Sequence, residues 1–269
     1  EVVTQPQKPV GRKKILTPSP VAQWAEKYNI PVLTEFSSLC SSEKTADVGV
    51  LAAYGKIIPK EVIEMFPHGI LNVHPSLLPQ WRGASPVQAA ITSGSTETGV
   101  SIIKLDEEVD HGPIVHQARD RVRARDTAGA LRTRLFKKGA LELIKILPHY
   151  VERRILPKEQ EHEKATFTTL IKKSDGFVKP QDIAATVDGK DSQRVGRLIR
   201  AMSPWPIAWT EIIIPIITNT TNKYQSKKNL KILKAHVEDK KLVLDQVQLE
   251  GKNPVTWKQF KEGYPGVSF

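Results

Sequence analysis

Short apolar segments alternate with amphipathic segments along the first half of the chain. The helix-like segments follow start signals such as Ser19-Pro20, Pro59 and Ser85-Pro86, and we expect Asp126 to cap a longer helix. The strand-like segments are Glu1–Thr4, Ile30–Leu33, Val48–Ala53, Ile70–Val73, Val100–Leu105 and Ile114–Ala118. This alternation predicts an α/β domain with a mostly parallel sheet over residues 1–152.

The pattern changes in the second half of the chain. Residues 153–173 are charged and polar with weak periodicity, which predicts a linker. A helix is predicted over Ser192–Met202, and a hairpin tip over Asn222–Lys228. The remaining apolar segments read as antiparallel strands: Ile207–Ile217, Leu230–Val237 and Leu242–Leu249. Residues 174–269 are therefore predicted to form a second, smaller β domain.

The composition narrows the class of protein. Of the 269 residues, 39% are hydrophobic and 26% are charged, as in soluble globular proteins. No apolar run approaches the ~18 residues of a membrane helix, and residues 1–6 lack the features of a signal peptide. Cys40 is the only cysteine, which excludes an intrachain disulfide, and the histidines show no metal-ligand spacing. We expect a cytoplasmic protein without a metal.

The net charge of +11 indicates a polyanionic partner, because lysine and arginine neutralise phosphates and release condensed counterions. Solubility alone is the alternative explanation of this charge.

The candidate chemistry lies near the end of one predicted strand. In Asn72-Val73-His74 the two polar residues are two positions apart, so they point to the same face of a strand. Two such donors could stabilise a developing oxyanion. Asp110 lies in a loop after the next predicted strand, where its carboxylate could orient a histidine or accept a proton from an amine. The alternative is that all three residues are ordinary turn formers.

The sequence NVHPSLLPQWRG over Asn72–Gly83, followed by LDEEVDHGPI over Leu105–Ile114, resembles the signature of the folate-dependent formyltransferases. Members of that family act on methionyl-tRNA, glycinamide ribonucleotide or sugar-nucleotide amines. The resemblance implies a Rossmann-like catalytic domain and 10-formyltetrahydrofolate as the formyl donor. It also implies that Asn72 and His74 polarise the formyl oxygen, and that Asp110 holds His74 and helps to remove the proton from the attacking amine.

The same resemblance implies a folate site. One wall would be the loop formed by Ser76, Leu77, Leu78 and Pro79. The segment LAAYGKII, which contains Tyr54 and Gly55, would contact the pterin. The chain opens on what resembles the family's second strand, so we expect the catalytic domain to lack the first βα unit.

The acceptor is indicated by the segment Thr4–Val21, which resembles a basic loop peculiar to the methionyl-tRNA formyltransferases. This resemblance implies methionyl-tRNA as the partner, although a solvated surface loop is the plainer interpretation. The candidate tRNA-binding residues are Lys8, Arg12, Lys13, Lys14, Arg82, Arg197 and Arg200.

The segment Ala201–Trp209 resembles the family's entry into a C-terminal OB-like β-barrel. The short spacing between the strands near Leu230 and Leu242 leaves no room for an extra hairpin, so we expect an open or depleted barrel. A monomer is expected. The alternatives to a methionyl-tRNA enzyme are a formyltransferase acting on a sugar-nucleotide amine and an inactive RNA-binding relative.

Overall fold

The computed structural model describes residues 1–11, 13–40, 46–216, 224–267 and 269. The chain divides into two compact units. The first unit comprises Glu1–His74, Ser101–His116 and Ala140–Gln160, and the second comprises Pro75–Val100, Gln117–Gly139 and Glu161–Phe269. The division at residues 152 and 174 that the sequence suggests stays a prediction.

The described residues form strands and helices with the following bounds. The strands are β1 (Val2–Val3), β2 (Lys8–Val10), β3 (Ile15–Thr17), β4 (Val32–Leu33), β5 (Gly49–Leu51), β6 (Ile70–His74), β7 (Arg82–Gly83), β8 (Glu97–Lys104), β9 (Ile114–Arg121), β10 (Phe167–Thr168), β11 (Ala208–Ile216), β12 (Tyr224–Glu238), β13 (Lys241–Leu249) and β14 (Val255–Thr256). The helices are α1 (Pro20–Lys27), α2 (Phe36–Cys40), α3 (Lys60–Glu64), α4 (Pro86–Ser93), α5 (Ala128–Val151), α6 (Pro180–Val187), α7 (Ser192–Ala201) and α8 (Trp257–Gly263).

The sheet that carries the candidate chemistry is mixed. Its strand order is β5-β6-β8-β9, and β1 pairs with β4 in a separate parallel pair. β5 is parallel to β6, whereas β8 is antiparallel to β6. The loop between β8 and β9 is too short for a crossover, so these strands form a hairpin, closed by the hydrogen bond from Lys104 N to Pro113 O at 2.9 Å. The prediction of a mostly parallel sheet is therefore wrong for β8 and β9.

Helix α1 begins as its sequence predicts, because Pro20 occupies its first turn and the Ser19 hydroxyl accepts a hydrogen bond from Ala22 N at 3.0 Å. The buried residues of α1 are Ala22 and Ala25. Trp24 is 56% exposed, and its ring lies 4.6 Å from that of Tyr28. The close contacts of α1 are therefore made by its small side chains, while the two aromatic side chains face solvent.

The second unit contains an antiparallel sheet with the strand order β11-β12-β13-β14. A two-residue turn joins β12 to β13, with positive φ at Asp239 and Lys240. Residues 224–228 belong to β12 and not to a hairpin tip, while residues 222 and 223 lie outside the described residues. Among the described strands, no pairing joins β14 to β11, so the OB-like barrel stays a prediction.

The predicted linker is not featureless. In the second unit β10 pairs in parallel with β7, with Phe167 opposite Arg82 and Thr168 opposite Gly83. A Cβ on Gly83 would lie 2.4 Å from the carbonyl oxygen of Thr168, so the close approach of these two strands requires glycine.

Asp126 joins three parts of the second unit. Its carboxylate accepts hydrogen bonds from Arg134 Nη1 at 2.9 Å, from Arg134 Nη2 at 2.6 Å and from Arg123 N at 2.9 Å, and its carbonyl accepts one from Arg200 Nη1 at 2.9 Å. Burial raises the pKa of Asp126, but the hydrogen bonds from Arg134 and Arg123 outweigh it and hold that pKa below its usual range. The cap of α5 is Thr127, whose hydroxyl accepts from Ala130 N at 3.2 Å, so the predicted cap is wrong by one residue.

We predict that Asp126→Asn destabilises the protein by about 2 kcal/mol at neutral pH, since it weakens charged hydrogen bonds at a buried site. The lowered pKa of folded Asp126 means that its stabilisation is complete above the unfolded value of about 4 and is lost as pH falls through the folded value. Urea unfolding at a series of pH values should show the wild type and variant converging in acid. The exposed pair Arg119–Glu97 provides the control, because Glu97→Gln should cost less than about 1 kcal/mol.

Candidate active site

Three polar side chains meet at the end of β6 in the first unit. The Asn72 amide Nδ2 donates to Asp110 Oδ1 at 3.2 Å, and His74 Nδ1 lies 3.3 Å from the same oxygen. Asn72 is 8% exposed and His74 is 4% exposed. The structure therefore brings together all three residues that the sequence singled out. An amide donor and a ring nitrogen that share one carboxylate oxygen have fixed orientations, from which both groups can donate hydrogen bonds to a polarised carbonyl group.

The pairing of strands fixes where the two β6 side chains lie. Asn72 is opposite Leu51 of β5 and Ile103 of β8, and His74 is opposite Ser101 of β8. Every residue of β6 is buried, because β6 is flanked by strands on both sides. The alternation of side chains along β6 then places Asn72 and His74 on one face.

The loop that carries Asp110 is tightly held. Asp110 has a φ of 51°, in the left-handed region that is uncommon for residues other than glycine. A Cβ on Gly112 would lie 2.0 Å from the carbonyl oxygen of Lys104, so only glycine allows the loop to approach the end of β8 so closely. Earlier in the loop, the Asp106 carboxylate accepts from Glu108 N at 3.0 Å and lies 2.7 Å from His111 Nδ1.

The first unit contains a cavity of about 870 Å³, and of the two predicted pterin contacts Tyr54 is among its lining residues. Tyr54 lines it, and the Tyr54 carbonyl accepts a hydrogen bond from Gln5 Nε2 at 2.7 Å. Burial, and to a lesser degree the charge of Glu35, raise the pKa of Tyr54. Asn72, His74 and Asp110 are not among its described lining residues, but Leu51, the β5 neighbour of Asn72, is.

The predicted folate loop lies in the second unit. Ser76 is buried, and its hydroxyl donates to the Gln80 carbonyl at 2.6 Å. The Leu78 carbonyl accepts from Gln117 Nε2 at 2.8 Å, and the Leu78–Pro79 peptide bond is cis. Leu77 packs over Gly99, where an added Cβ would lie 2.5 Å from a Leu77 methyl carbon. The four predicted residues thus form one closed turn.

The basic segment near the N-terminus is a hairpin of β2 and β3, with Lys8 opposite Thr17. Lys8, Lys13 and Lys14 are exposed, and Arg12 lies outside the described residues. The Lys8 ammonium contacts the side-chain oxygen of Gln5. Where the sequence suggested an irregular loop, the cations lie on and around a short ladder.

Of the four arginines predicted to bind tRNA, the three that lie within the described residues have intramolecular partners. Arg82 is 4% exposed, and its Nη2 lies 2.8 Å from His162 Nδ1. Arg197 Nε donates to the Thr92 carbonyl at 3.2 Å, and Arg200 donates to the Asp126 carbonyl. Burial lowers the pKa of Arg200. Their role in binding tRNA stays a prediction.

A model of the formyl transferase family, which describes the N-terminal domain of such enzymes, matches residues 1–147. The chain belongs to the formyl transferase family. A methionyl-tRNA formyltransferase of Chloroflexus aurantiacus is 42% identical over 217 residues, which cover 78% of this chain and 67% of that protein.

Two solved structures share the fold of this formyl transferase. The methionyl-tRNA formyltransferase from Clostridium thermocellum superposes with a TM-score of 0.58 at 21% identity, covering 87% of this chain and 95% of that one. WlaRD, a sugar 3N-formyl transferase determined in the presence of dTDP and 5-N-formyl-THF, has a TM-score of 0.59 at 17% identity and covers 93% of this chain and 88% of that one. At these identities the likeness shows the fold alone.

The described residues of the formyl transferase contain neither a metal-ligating cluster nor a helix of the membrane-spanning kind. No group of three or more histidine, cysteine, aspartate or glutamate side chains there could hold a metal ion. Within the same residues, no helix has both the length and the apolar character needed to span a membrane.

Sequence reasoning missed Gln160 of the formyl transferase. Its side-chain nitrogen donates to the carbonyls of Asp110, His111 and Gly112, at 2.9, 2.9 and 2.8 Å. Gln160 lies in the polar segment that reads as a linker, and no local pattern marks it. The sequence shows only a glutamine after the end of α5, which by itself indicates no function.

We predict that Gly112→Ala destabilises the formyl transferase by about 2–3 kcal/mol and lowers its activity, because the methyl group forces the Asp110 loop away from β8. Thermal unfolding and a turnover assay measure the two effects. Gly263→Ala in α8 is the matched control, since its added methyl group meets nothing within 4 Å and should leave both quantities near wild type. Wild-type turnover in Gly112→Ala would contradict the close packing of this loop.

Proposed function

We propose that this formyl transferase moves the formyl group of 10-formyltetrahydrofolate to the amino group of methionyl-tRNA. The observation that carries the proposal is the convergence of Asn72 and His74 on one carboxylate oxygen of Asp110. The acceptor is supported by the 42% identity to a protein named methionyl-tRNA formyltransferase.

In the proposed mechanism Asn72 and His74 act on the formyl oxygen. The Asn72 amide and a ring N–H of His74 donate hydrogen bonds to this oxygen as negative charge develops on it. Asp110 holds both side chains in place through its shared carboxylate oxygen. As the amine nitrogen bonds to the formyl carbon, Asp110 accepts the amine proton, which is then available to the departing folate nitrogen.

The donor site is proposed to include the segment around Tyr54 and Gly55 in the first unit, and a folate-binding role of the loop from Ser76 to Pro79 stays a prediction. The cavity lined by Tyr54 has a volume in the range of small-molecule pockets, and Leu51 connects its wall to the neighbouring strand β6. The folate carrier supplies the activated formyl group; the residues described here bind and orient it.

The acceptor site is proposed to use the basic hairpin of β2 and β3. Lys8, Lys13 and Lys14 are exposed together there, and the net charge of the chain is +11. Clustered cations on a short hairpin suit a phosphate backbone. Arg12, Arg82, Arg197 and Arg200 complete the proposed tRNA-binding set.

The proposal extends to the organisation of the protein. Residues 1–152 would form a Rossmann-like catalytic domain, residues 153–173 a connection, and residues 174–269 an OB-like tRNA-binding domain, to which the antiparallel strands β11–β14 are suited. The protein would act as a monomer in the cytoplasm. Sedimentation at several concentrations tests the monomer, and a dimeric mass would contradict it.

We predict that Asn72→Ala, His74→Ala and Asp110→Asn each lower turnover by about 10²–10³-fold without unfolding the protein. The assay follows labelled formyl from 10-formyltetrahydrofolate to charged methionyl-tRNA, with a sugar-nucleotide amine as the rival acceptor. Formylation of the sugar alone would overturn the acceptor and keep the chemistry. Binding of tRNA by the wild type without transfer to either acceptor would indicate an inactive RNA-binding relative.

We predict that replacing Lys8, Arg12, Lys13 and Lys14 with glutamine raises KM for methionyl-tRNA and flattens its dependence on salt. Each lost phosphate contact should reduce the logarithmic salt slope by about 0.7–0.9. The matched control replaces the exposed Lys137 and Lys145 of α5 with glutamine. Equal slopes in the wild type and the hairpin variant would mean that the hairpin does not contact phosphate.

A further inference from the structure

Gln160 makes an unusual set of hydrogen bonds in the first unit. Its one amide nitrogen lies 2.9, 2.9 and 2.8 Å from the carbonyl oxygens of Asp110, His111 and Gly112. The amide has two hydrogens, so three acceptors share them. Gln160 is 5% exposed. A buried donor that bonds three consecutive carbonyls fixes the path of the backbone between them, because moving any of these carbonyls away would break a buried hydrogen bond.

Gln160 bonds a stretch of backbone whose conformation is unfavourable by itself. Asp110 has a φ of 51°, a conformation that persists only when its surroundings hold it. Gly112 lies against the carbonyl of Lys104, so the far end of the loop is fixed against β8. Gln160 donates hydrogen bonds to the part of the loop that contains Asp110 itself.

Gln160 is itself anchored. Two residues earlier, Lys158 forms an isolated antiparallel bridge with Ile114, through hydrogen bonds of 2.7 Å from Ile114 N and 2.8 Å to Ile114 O. The segment after α5 is thereby bound to the first residue of β9, and this bond sets the position from which the Gln160 side chain reaches the loop.

We propose that Gln160 is a positioning residue, which holds the Asp110 carboxylate against Asn72 and His74 by bonding the three carbonyls of residues 110–112. The inference rests on the catalytic role proposed for Asp110. It assigns a function in the reaction to a residue of the segment that the sequence pattern predicted to be a linker. The expected consequence of losing the amide is a displaced carboxylate and slower turnover, with substrate binding largely kept.

The test replaces Gln160 with a side chain of the same shape and opposite hydrogen-bonding character. In Gln160→Glu, a carboxylate faces three carbonyl oxygens, which repel it. We expect kcat at mildly alkaline pH to fall by about 10–100-fold, the usual effect of a small misplacement of a reacting group, with KM for both substrates near wild type. Gln160→Met removes the donor without adding charge and should lose less activity.

The pH profile separates positioning from general damage. Burial and the facing carbonyls raise the pKa of the introduced carboxyl, so acid converts it to a neutral group that donates one hydrogen bond. The ratio of the kcat of Gln160→Glu to that of Gln160→Met should therefore rise as pH falls. The native ionisable groups around the loop, namely His74, Asp106, Asp110 and His111, are the same in both variants, so their contribution largely cancels in the ratio. Gln248→Glu, which alters an amide that donates to the Lys252 carbonyl, is the chemical control and should stay at wild-type activity.

A double-substitution cycle keeps the proposal testable if Gln160→Glu folds poorly. If Gln160 acts through Asp110, adding Gln160→Met to Asp110→Asn should cause little further loss of kcat. A full additional loss, a flat pH ratio in folded variants, or wild-type kcat in both Gln160 variants would overturn the positioning role. Wild-type turnover in Asp110→Asn alone would instead overturn the proposed catalytic function, so the two failures are distinct.

Discussion

The single oxygen of Asp110 that Asn72 and His74 both approach is the constraint on which the candidate site depends. For both side chains to reach this oxygen, β6 must be paired in one register and the Asp110 backbone must adopt a left-handed conformation. In addition, Gly112 must lie against the end of β8. Each requirement costs free energy alone, since buried polar groups and positive φ are unfavourable without compensation. They persist together because the carboxylate satisfies the amide and the imidazole at once.

The sequence predicted the parts of this arrangement that are local. The strand segments of the first half have a short apolar pattern, and the alternation of side chains along a strand is enough to place Asn72 and His74 on one face. The helices after Ser19-Pro20 and Ser85-Pro86 were predictable because their start signals act within one turn. The resemblance to a family then connected Asp110 to these two residues.

The features that the sequence did not predict depend on distant parts of the chain. β8 is antiparallel to β6 because of the direction in which the chain re-enters the sheet, and no local sequence pattern indicates that direction. Arg82 has the composition of a surface cation, but the pairing of β7 with β10 and its contact with His162 bury it. Gln160 is 48 to 50 residues away from the carbonyls that it bonds, so only the folded chain shows its role.

The bonds made by Gln160 have a consequence for the order of synthesis. A nascent chain that has emerged as far as residue 152 already contains Asn72, His74 and Asp110, together with β6 and the strands that pair with it. It does not yet contain Lys158, which bridges to Ile114, or the Gln160 amide that bonds residues 110–112. The proposed active site would therefore be complete only after the segment that follows α5 has left the ribosome. During synthesis, the reactive groups would be present before they are held in their final positions.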